Sequence, residues 1–384
     1  MEEFISKNIR EIEISGIRKF YNEVLKVPGA ISLTLGEPDF EVPKEIKEAM
    51  IYAIHENKTR YTSNNGIIEL RREISKYLNT MDITYNEEEI CVTVGGSEAL
   101  NSTFLTLIEK GDKVLIPSPA YPAYESCVKI AGGEVVNYHL KEDFSIDIDN
   151  LKELIEVEKP KILVLSFPTN PTGAILDKKT KEDLYELVKD KNIIILSDEI
   201  YASIYYENEY FSLAQYEDIK EKVIIIGGFS KMFSMTGLRV GFICAHENLM
   251  KHIIKVHQYG VSSATSIAQW GAYAGLKSSM YNVKLMTEKF RERRDFLCSR
   301  LNHMGLDVIT PKGAFYVFPS IKKYSNNSFE FCKSLLEEEK VAIIPGVAFG
   351  DKGEGHVRIS YSYSIEELTN ALNRIEKFLA KQSI

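Results

Sequence analysis

The sequence predicts an α/β fold in two parts: a large domain on a mostly parallel, doubly wound sheet, and a smaller α+β domain. Between Ile90 and Cys244 one pattern repeats, a short apolar run, then a polar or glycine-rich turn, then a segment with helical periodicity. The runs are continuous rather than alternating, as strands buried on both faces of a parallel sheet are. Length agrees, since 384 residues with 44% hydrophobic side chains exceed one compact core and suffice for two.

In chain order the runs are Ile90 to Val94, Lys113 to Ile116, Ile162 to Leu165, Ile193 to Leu196, Val223 to Ile226 and Val240 to Cys244. Alternation of such runs with helical segments builds a doubly wound sheet. After about Met286 the pattern changes to a long charged helix, a strand-like Ala314 to Phe318, a helix near Phe329 to Glu339, strands at Val341 to Ile344 and His356 to Ser360, and a last helix. Helices grouped with a few spaced strands predict the smaller domain. The expected division is 46–285 for the large domain, with 1–45 and 286–384 forming the small one.

Composition excludes several functions. Net charge is −8, and the one basic cluster, Lys289 to Asp295, is interleaved with acids and reads as a solvated helical face rather than a nucleic-acid footprint. The five cysteines are odd in number and contain no Cys-x-x-Cys pair, which argues for reduced thiols in a cytosol. His252 and His257 are too far out of phase to share a helix face, so no metal is expected. No charged-then-apolar signal opens the chain and no apolar run approaches the ~20 residues of a membrane span. The expectation is a cytoplasmic protein that binds neither nucleic acid nor membrane.

Ligands of open α/β sheets bind beyond the carboxyl ends of the strands, and four turns stand there. Gly95-Gly96-Ser97-Glu98 precedes a helix at Ala99 to Glu109; it reads either as a phosphate cradle of backbone N–H groups or as a plain glycine turn with a serine N-cap. Ser166 to Gly173 holds Asn170 between prolines, a rigid mount for an amide or simply a structural turn. Ser197-Asp198-Glu199-Ile200-Tyr201 puts a carboxylate at a buried strand end, where it needs a cationic partner. A nucleotide-linked magnesium site would look similar, but the chain has no Gly-x-x-x-x-Gly-Lys-Ser/Thr loop. Gly227 to Phe242 surrounds Lys231 with apolar residues and sets Arg239 eight positions on, which suits a desolvated amine of lowered pKa.

In this order the four turns resemble the class I/II aminotransferases of the pyridoxal-phosphate fold-type I superfamily. So do Gly36-Glu37-Pro38-Asp39-Phe40, Tyr61, Tyr121 and Arg358, and the resemblance covers essentially the whole chain. It implies the cofactor pyridoxal 5'-phosphate. Lys231 is implied as the amine that condenses with the cofactor aldehyde and later carries the proton at Cα, and Asp198 as the partner of the pyridine nitrogen. Tyr201 and Asn170 are implied to bond the ring hydroxyl oxygen, and Tyr121 to stack on the ring. Ser230, Arg239, Ser97 and the N–H groups of Gly96 and Glu98 are implied to hold the phosphate. Arg358, helped by Gly36, is implied to grip the substrate α-carboxylate. Tyr61 is implied to reach the phosphate of a neighbouring subunit, which makes a homodimer obligatory.

Closer similarity, in Arg10 to Phe20, His252 to Tyr259 and Pro311 to Pro319, is to bacterial N-acetyl-LL-diaminopimelate aminotransferases and related aromatic aminotransferases. Aspartate-preferring relatives tend to carry a lysine where this chain has Ser97, and Ile14 to Ile17 is implied to cover the pocket. The expected reaction is therefore ping-pong transfer from N-acetyl-LL-diaminopimelate or an aromatic amino acid to 2-oxoglutarate. A carbon-sulfur β-lyase on the same scaffold is the alternative, because it needs the same lysine, aspartate and arginine.

Overall fold

The computed structural model describes residues 2–382. Its strands in chain order are β1 Ile31–Ser32, β2 Ile90–Thr93, β3 Lys113–Ser118, β4 Glu134–His139, β5 Ile162–Ser166, β6 Ile194–Asp198, β7 Val223–Gly228, β8 Gly241–Ala245, β9 Tyr316–Val317, β10 Val341–Ala342, β11 Ile344–Pro345 and β12 Val357–Ser360. Seven of these form one sheet in the order β2-β8-β7-β6-β5-β3-β4. All its pairings are parallel except those of β8, which runs antiparallel to both β2 and β7.

The aliphatic runs form six of the seven strands, with β2 at one edge, and every residue of β2, β5, β7 and β8 is buried, so both faces are covered as unbroken runs require. The strand β4, Glu134-Val135-Val136-Asn137-Tyr138-His139, is not among the sequence-predicted runs. It lies at the edge beyond β3, pairing Val114 with Val135 and Ile116 with Asn137, and is only partly covered. Its polar and apolar residues are mixed accordingly, which hides it from a search for continuous runs.

Outside the large sheet, β1 pairs in parallel with β10, bringing Ile31 beside Val341. The stretch Val341 to Ile344, which reads as one strand, is two, because β11 turns away from β1 to pair with β12 at Ile344 and Arg358. β12 also pairs with β9, completing a three-stranded antiparallel sheet. The helices Ser328–Glu339 and Ile365–Gln382 close a separate apolar cluster here, with Phe331, Leu335, Leu372 and Phe378 packed with Phe20 and Leu33 from the other end of the chain. No helix among the described residues is long and apolar enough to cross a membrane.

The basic cluster at Lys289 to Asp295 is only in part a solvated face: Lys289, Glu292 and Asp295 are exposed, but its arginines are not. It lies on the helix Met280–His303, where Phe290 is fully buried and Arg293 is only 9% exposed. The Arg293 guanidinium makes a two-pronged pair with Asp39, at 2.6 and 2.8 Å, and lies over the Phe40 ring at 4.9 Å. Arg294 donates to the Pro311 carbonyl at 3.1 Å and covers the Tyr206 ring at 4.8 Å. Charge density in the sequence hides this because arginine buries its stem and fork while remaining ionised.

The Asp39 to Arg293 pair ties the segment before the Lys44–His55 helix to the long helix Met280–His303. Arg293→Ala strands the Asp39 carboxylate, and the expected cost is about 2 kcal/mol, the size of a charged hydrogen bond pair that is not fully buried. Urea unfolding monitored by circular dichroism measures it. A change within about 0.5 kcal/mol, the range of ordinary surface substitutions, would show that the pair is not a structural tie.

Candidate active site

The cavity at the carboxyl edge of the large sheet has a volume of about 440 Å³. Strand order explains what converges there. β5 ends at Ser166, β6 at Asp198 and β7 at Gly228, with Ser166 in register with Asp198 and Asp198 with Ile226. Because β8 is antiparallel, its first residue rather than its last stands at this edge. Gly241 lies between Gly228 and Thr93, which delivers the preceding Arg239 to the same place as the turns after β2 and β7.

Lys231 follows β7 on the short helix Phe229–Met232. Its Nζ donates to the Gly36 carbonyl. Burial pushes this ammonium down to about 8; Glu37 opposes the shift, while Arg239 and Arg358 add to it.

Asp198 is 6% exposed. The Tyr124 hydroxyl donates to Oδ2 at 2.6 Å and the Ile200 N–H to Oδ1 at 3.1 Å. Burial pushes the carboxyl pKa up, against the pull of these two donors. No described residue forms an ion pair with Asp198, so the cation its position calls for is left to a ligand. Tyr124 also pairs with the Ser166 hydroxyl at 2.9 Å, locking the phenol between two strand ends.

Arg358, on β12, is 2% exposed and likewise has no carboxylate partner. Nη1 donates to Asn170 Oδ1 at 2.9 Å, Nη2 donates to the Thr34 carbonyl, and Nε has no partner. The guanidinium plane lies over Tyr316 at 4.5 Å and Phe349 at 5.1 Å. A buried fork held flat by rings and facing a cavity suits a planar anion. Asn170 is presented by Ser166 to Gly173, whose Phe167-Pro168 and Asn170-Pro171 bonds are both cis. Gly173 ends the turn at φ +69°, where a Cβ would fall 2.5 Å from Pro311 Cβ and 2.9 Å from the Tyr316 carbonyl. Only glycine lets the turn press against the second apolar cluster.

The turn after β2 differs from its sequence reading. The helix is Gly95–Leu107, so Ser97 sits inside its first turn and is not an N-cap. Gly95, at φ +74°, allows close approach of Arg239, whose Nη2 would be 2.8 Å from a Cβ there. Gly96, Ser97, Ser230 and Arg239 border the cavity together. Glu98 does not. Its carboxylate accepts from the Val94 N–H at 3.0 Å and from the Ser102 hydroxyl, and meets His257 Nδ1 at 3.2 Å. His257 Nε2 reaches the Asn64 carbonyl at 2.9 Å, so the Glu98 side chain braces the helix start against the 60–66 segment.

Gly36, Tyr121 and Tyr201 also line the cavity, and the Tyr201 and Tyr316 hydroxyls lie 2.7 Å apart. Tyr61 is not among the lining residues and is 91% exposed. Sequence reasoning missed Tyr124, Tyr316, Arg18 and Tyr21, all of which line the cavity. Tyr124 follows Tyr121 by three residues, the one signal available for it; nothing local distinguishes Tyr316 from its aromatic neighbours.

A family model for aminotransferases of class I and II matches residues 28–375. A probable N-acetyl-LL-diaminopimelate aminotransferase of Bacillus subtilis is 41% identical over 385 residues, spanning 100% of this chain and 97% of that protein. An aspartate aminotransferase of Pyrococcus horikoshii is 40% identical over 383 residues, spanning 98% of this chain and 97% of that protein. The crystal structure of an aromatic aminotransferase from Pyrococcus horikoshii matches with a TM-score of 0.89 at 36% identity, over 94% of this chain and 98% of that one.

A lysine at about 8 is neutral, and hence nucleophilic, over a range where surface lysines are not. In the ligand-free protein, acetic anhydride labelling of Lys231 should rise about tenfold per pH unit below 8 and level off above it. Mass-spectrometric mapping reads each lysine separately. A midpoint near the ordinary 10.5 would mean that the site is not desolvated as described.

Proposed function

We propose, from the premise that this chain belongs to the class I and II aminotransferases, that it carries the amino group of an L-amino acid to 2-oxoglutarate by a ping-pong mechanism, with N-acetyl-LL-diaminopimelate or an aromatic amino acid as the favoured donor. The chain is a transferase of the pyridoxal-phosphate-dependent kind, and the 2-oxoglutarate and donor assignments are the proposal. One observation carries the reading: half-buried Lys231 and buried Asp198 and Arg358 surround one cavity, and neither Asp198 nor Arg358 has a counter-ion among the described residues.

The donor set fits pyridoxal phosphate. Asp198, buried with neutral donors only, is completed by a protonated ring nitrogen. Gly96, Ser97, Ser230 and Arg239, with the N–H groups of the Gly95–Leu107 helix start including that of Glu98, would hold a phosphate, and Gly95 leaves room for the guanidinium. Tyr121 would cover the ring face; Tyr201 and Asn170 would face the ring hydroxyl oxygen. The bound cofactor supplies an aldehyde and an electron-poor ring that accepts the charge developing at the substrate Cα.

This chain's residues do the remaining work. Lys231 Nζ, uncharged near neutrality more often than a surface amine, would hold the cofactor at its aldehyde carbon and, when not engaged there, would take the proton from the substrate Cα and return it. Arg358 holds the α-carboxylate in its two-pronged fork, which fixes Cα over that amine. Tyr124 holds the Asp198 carboxylate in place and opposes the upward pKa shift that burial imposes on it. Donor choice rests on Ser97, which offers no charge, and on Ile17, Tyr21 and Leu35, which line the cavity with apolar surface. A short acidic side chain set among them carries an uncompensated desolvation cost.

We also propose a homodimer in which Tyr61 completes the neighbouring site. Its exposure supports this, as do Ile51, Tyr52, Ile54 and Tyr259, all large apolar side chains open to solvent. The absence of disulfides among the five cysteines supports a reducing, cytoplasmic setting.

Tyr124→Phe removes one charged hydrogen bond, so cofactor affinity of the apoenzyme should fall about tenfold or more, read by fluorescence titration. Unchanged affinity would separate Tyr124 from the cofactor's ring site. Steady-state kinetics test the donor: N-acetyl-LL-diaminopimelate or an aromatic amino acid should exceed aspartate in kcat/KM, and aspartate best by about tenfold, ~1.4 kcal/mol, overturns that choice. A mixture of Lys231→Ala and Tyr61→Phe chains, each impaired alone, should regain partial activity on co-refolding; a fully active monomer in sedimentation contradicts the shared site.

A further inference from the structure

Five charged side chains line the cavity: Arg18, Asp198, Lys231, Arg239 and Arg358. The proposed reaction uses four of them, one for the ring nitrogen, one for the covalent link, one for the phosphate and one for the α-carboxylate. Arg18 is left over. Its guanidinium forms no hydrogen bond or ion pair with any described residue, whereas its neighbour Lys19 is paired with Glu13 at 2.5 Å.

The helix Gly16–Val24 decides where Arg18 points. Phe20 and Val24 are buried in the second apolar cluster, and Phe20 meets Phe329 edge to face at 6.1 Å. Ile17, Arg18 and Tyr21, spaced i, i+1 and i+4, therefore fall on the face turned to the cavity, and all three line it. Gly16 sets the depth: a Cβ there would lie 2.9 Å from Ala348 Cβ, so any side chain would lift the helix. Arg18 is solvent-exposed, whereas Asp198 and Arg358 are buried, so it stands at the cavity mouth.

We propose that Arg18 is a specificity-determining residue that binds the distal carboxylate of dicarboxylic substrates: the acceptor 2-oxoglutarate, and a donor whose side chain carries a carboxylate beyond its γ carbon. The inference rests on the aminotransferase reading. It favours N-acetyl-LL-diaminopimelate over an aromatic donor, since only the former brings a second carboxylate. Lys231 and Arg239 do not compete for that carboxylate once the cofactor engages them, Arg358 is taken by the α-carboxylate, and the remaining lining side chains are neutral apart from Asp198. An arginine fork is the side chain best matched to a carboxylate, and at a mouth open to water it loses little hydration while waiting.

The test uses the holoenzyme and two unreactive probes, glutarate and butyrate, titrated by calorimetry. Wild-type protein should bind glutarate about tenfold or more tightly than butyrate, the worth of one charge-assisted pair. Arg18→Gln should abolish that preference and Arg18→Lys should keep part of it. In kinetics, Arg18→Gln should lower kcat/KM for 2-oxoglutarate about tenfold relative to that for pyruvate. Equal loss for both probes, or retention of the glutarate preference, overturns the assignment. Failure of the wild-type enzyme to transfer an amino group to any 2-oxo acid would instead defeat the aminotransferase reading, and glutarate binding remains measurable in that case.

Discussion

A carboxylate shut away from water at the end of β6, held only by a phenol and a backbone N–H, is the constraint around which the site is organised. Leaving Asp198 there without a cation raises its pKa, and the protein does not relieve that cost with a lysine or arginine of its own. It holds the group rigidly instead. Tyr124 bonds both Asp198 and Ser166, so the ends of β6 and β5 and the helix Ala123–Ala131 share one hydroxyl. Such a group is either protonated or completed by a positive charge, so it favours a cationic group brought into the cavity.

The sheet around it serves the same end. Parallel strands put Ser166, Asp198 and the turn after Gly228 on one edge, and the single reversed strand, β8, sends Arg239 to that edge from the opposite direction. Its guanidinium can lie against the start of the Gly95–Leu107 helix because residue 95 has no side chain and adopts positive φ. Positive charge and unsatisfied helix N–H groups thereby gather on one wall and the carboxylate lies on another.

The other wall belongs to a different apolar cluster. Arg358 comes from β12, yet its fork is fixed by Asn170 from the turn after β5 and by the Thr34 carbonyl from the segment after β1. The cavity therefore lies where two apolar clusters meet, and contacts between distant parts of the chain brace it: Lys231 with Gly36, Tyr201 with Tyr316, and Arg293 with Asp39. The helix Gly16–Val24 adds an outer wall, where the Arg18 and Tyr21 side chains line the cavity with no hydrogen-bond partner among the described residues.

The sequence by itself determined the sheet's central strands, because burial on both faces forces unbroken aliphatic runs, and it determined the turns that follow them. Lys231, Asp198 and Asn170 were legible for that reason, since each stands just past such a run, whereas Arg358 was legible only through the family resemblance. Tertiary structure alone decided the edge strand β4, whose partly exposed faces blur the pattern, and the break between β10 and β11, which depends on partners far along the chain. It also decided that Glu98 turns to His257 rather than to the cavity, that Arg293 is a buried tie rather than a solvated charge, and that Tyr124, Tyr316 and Arg18 belong to the site. Charge and aromaticity are written in the chain, but whether a given side chain meets water, a partner or a cavity depends on what another part of the chain brings to it.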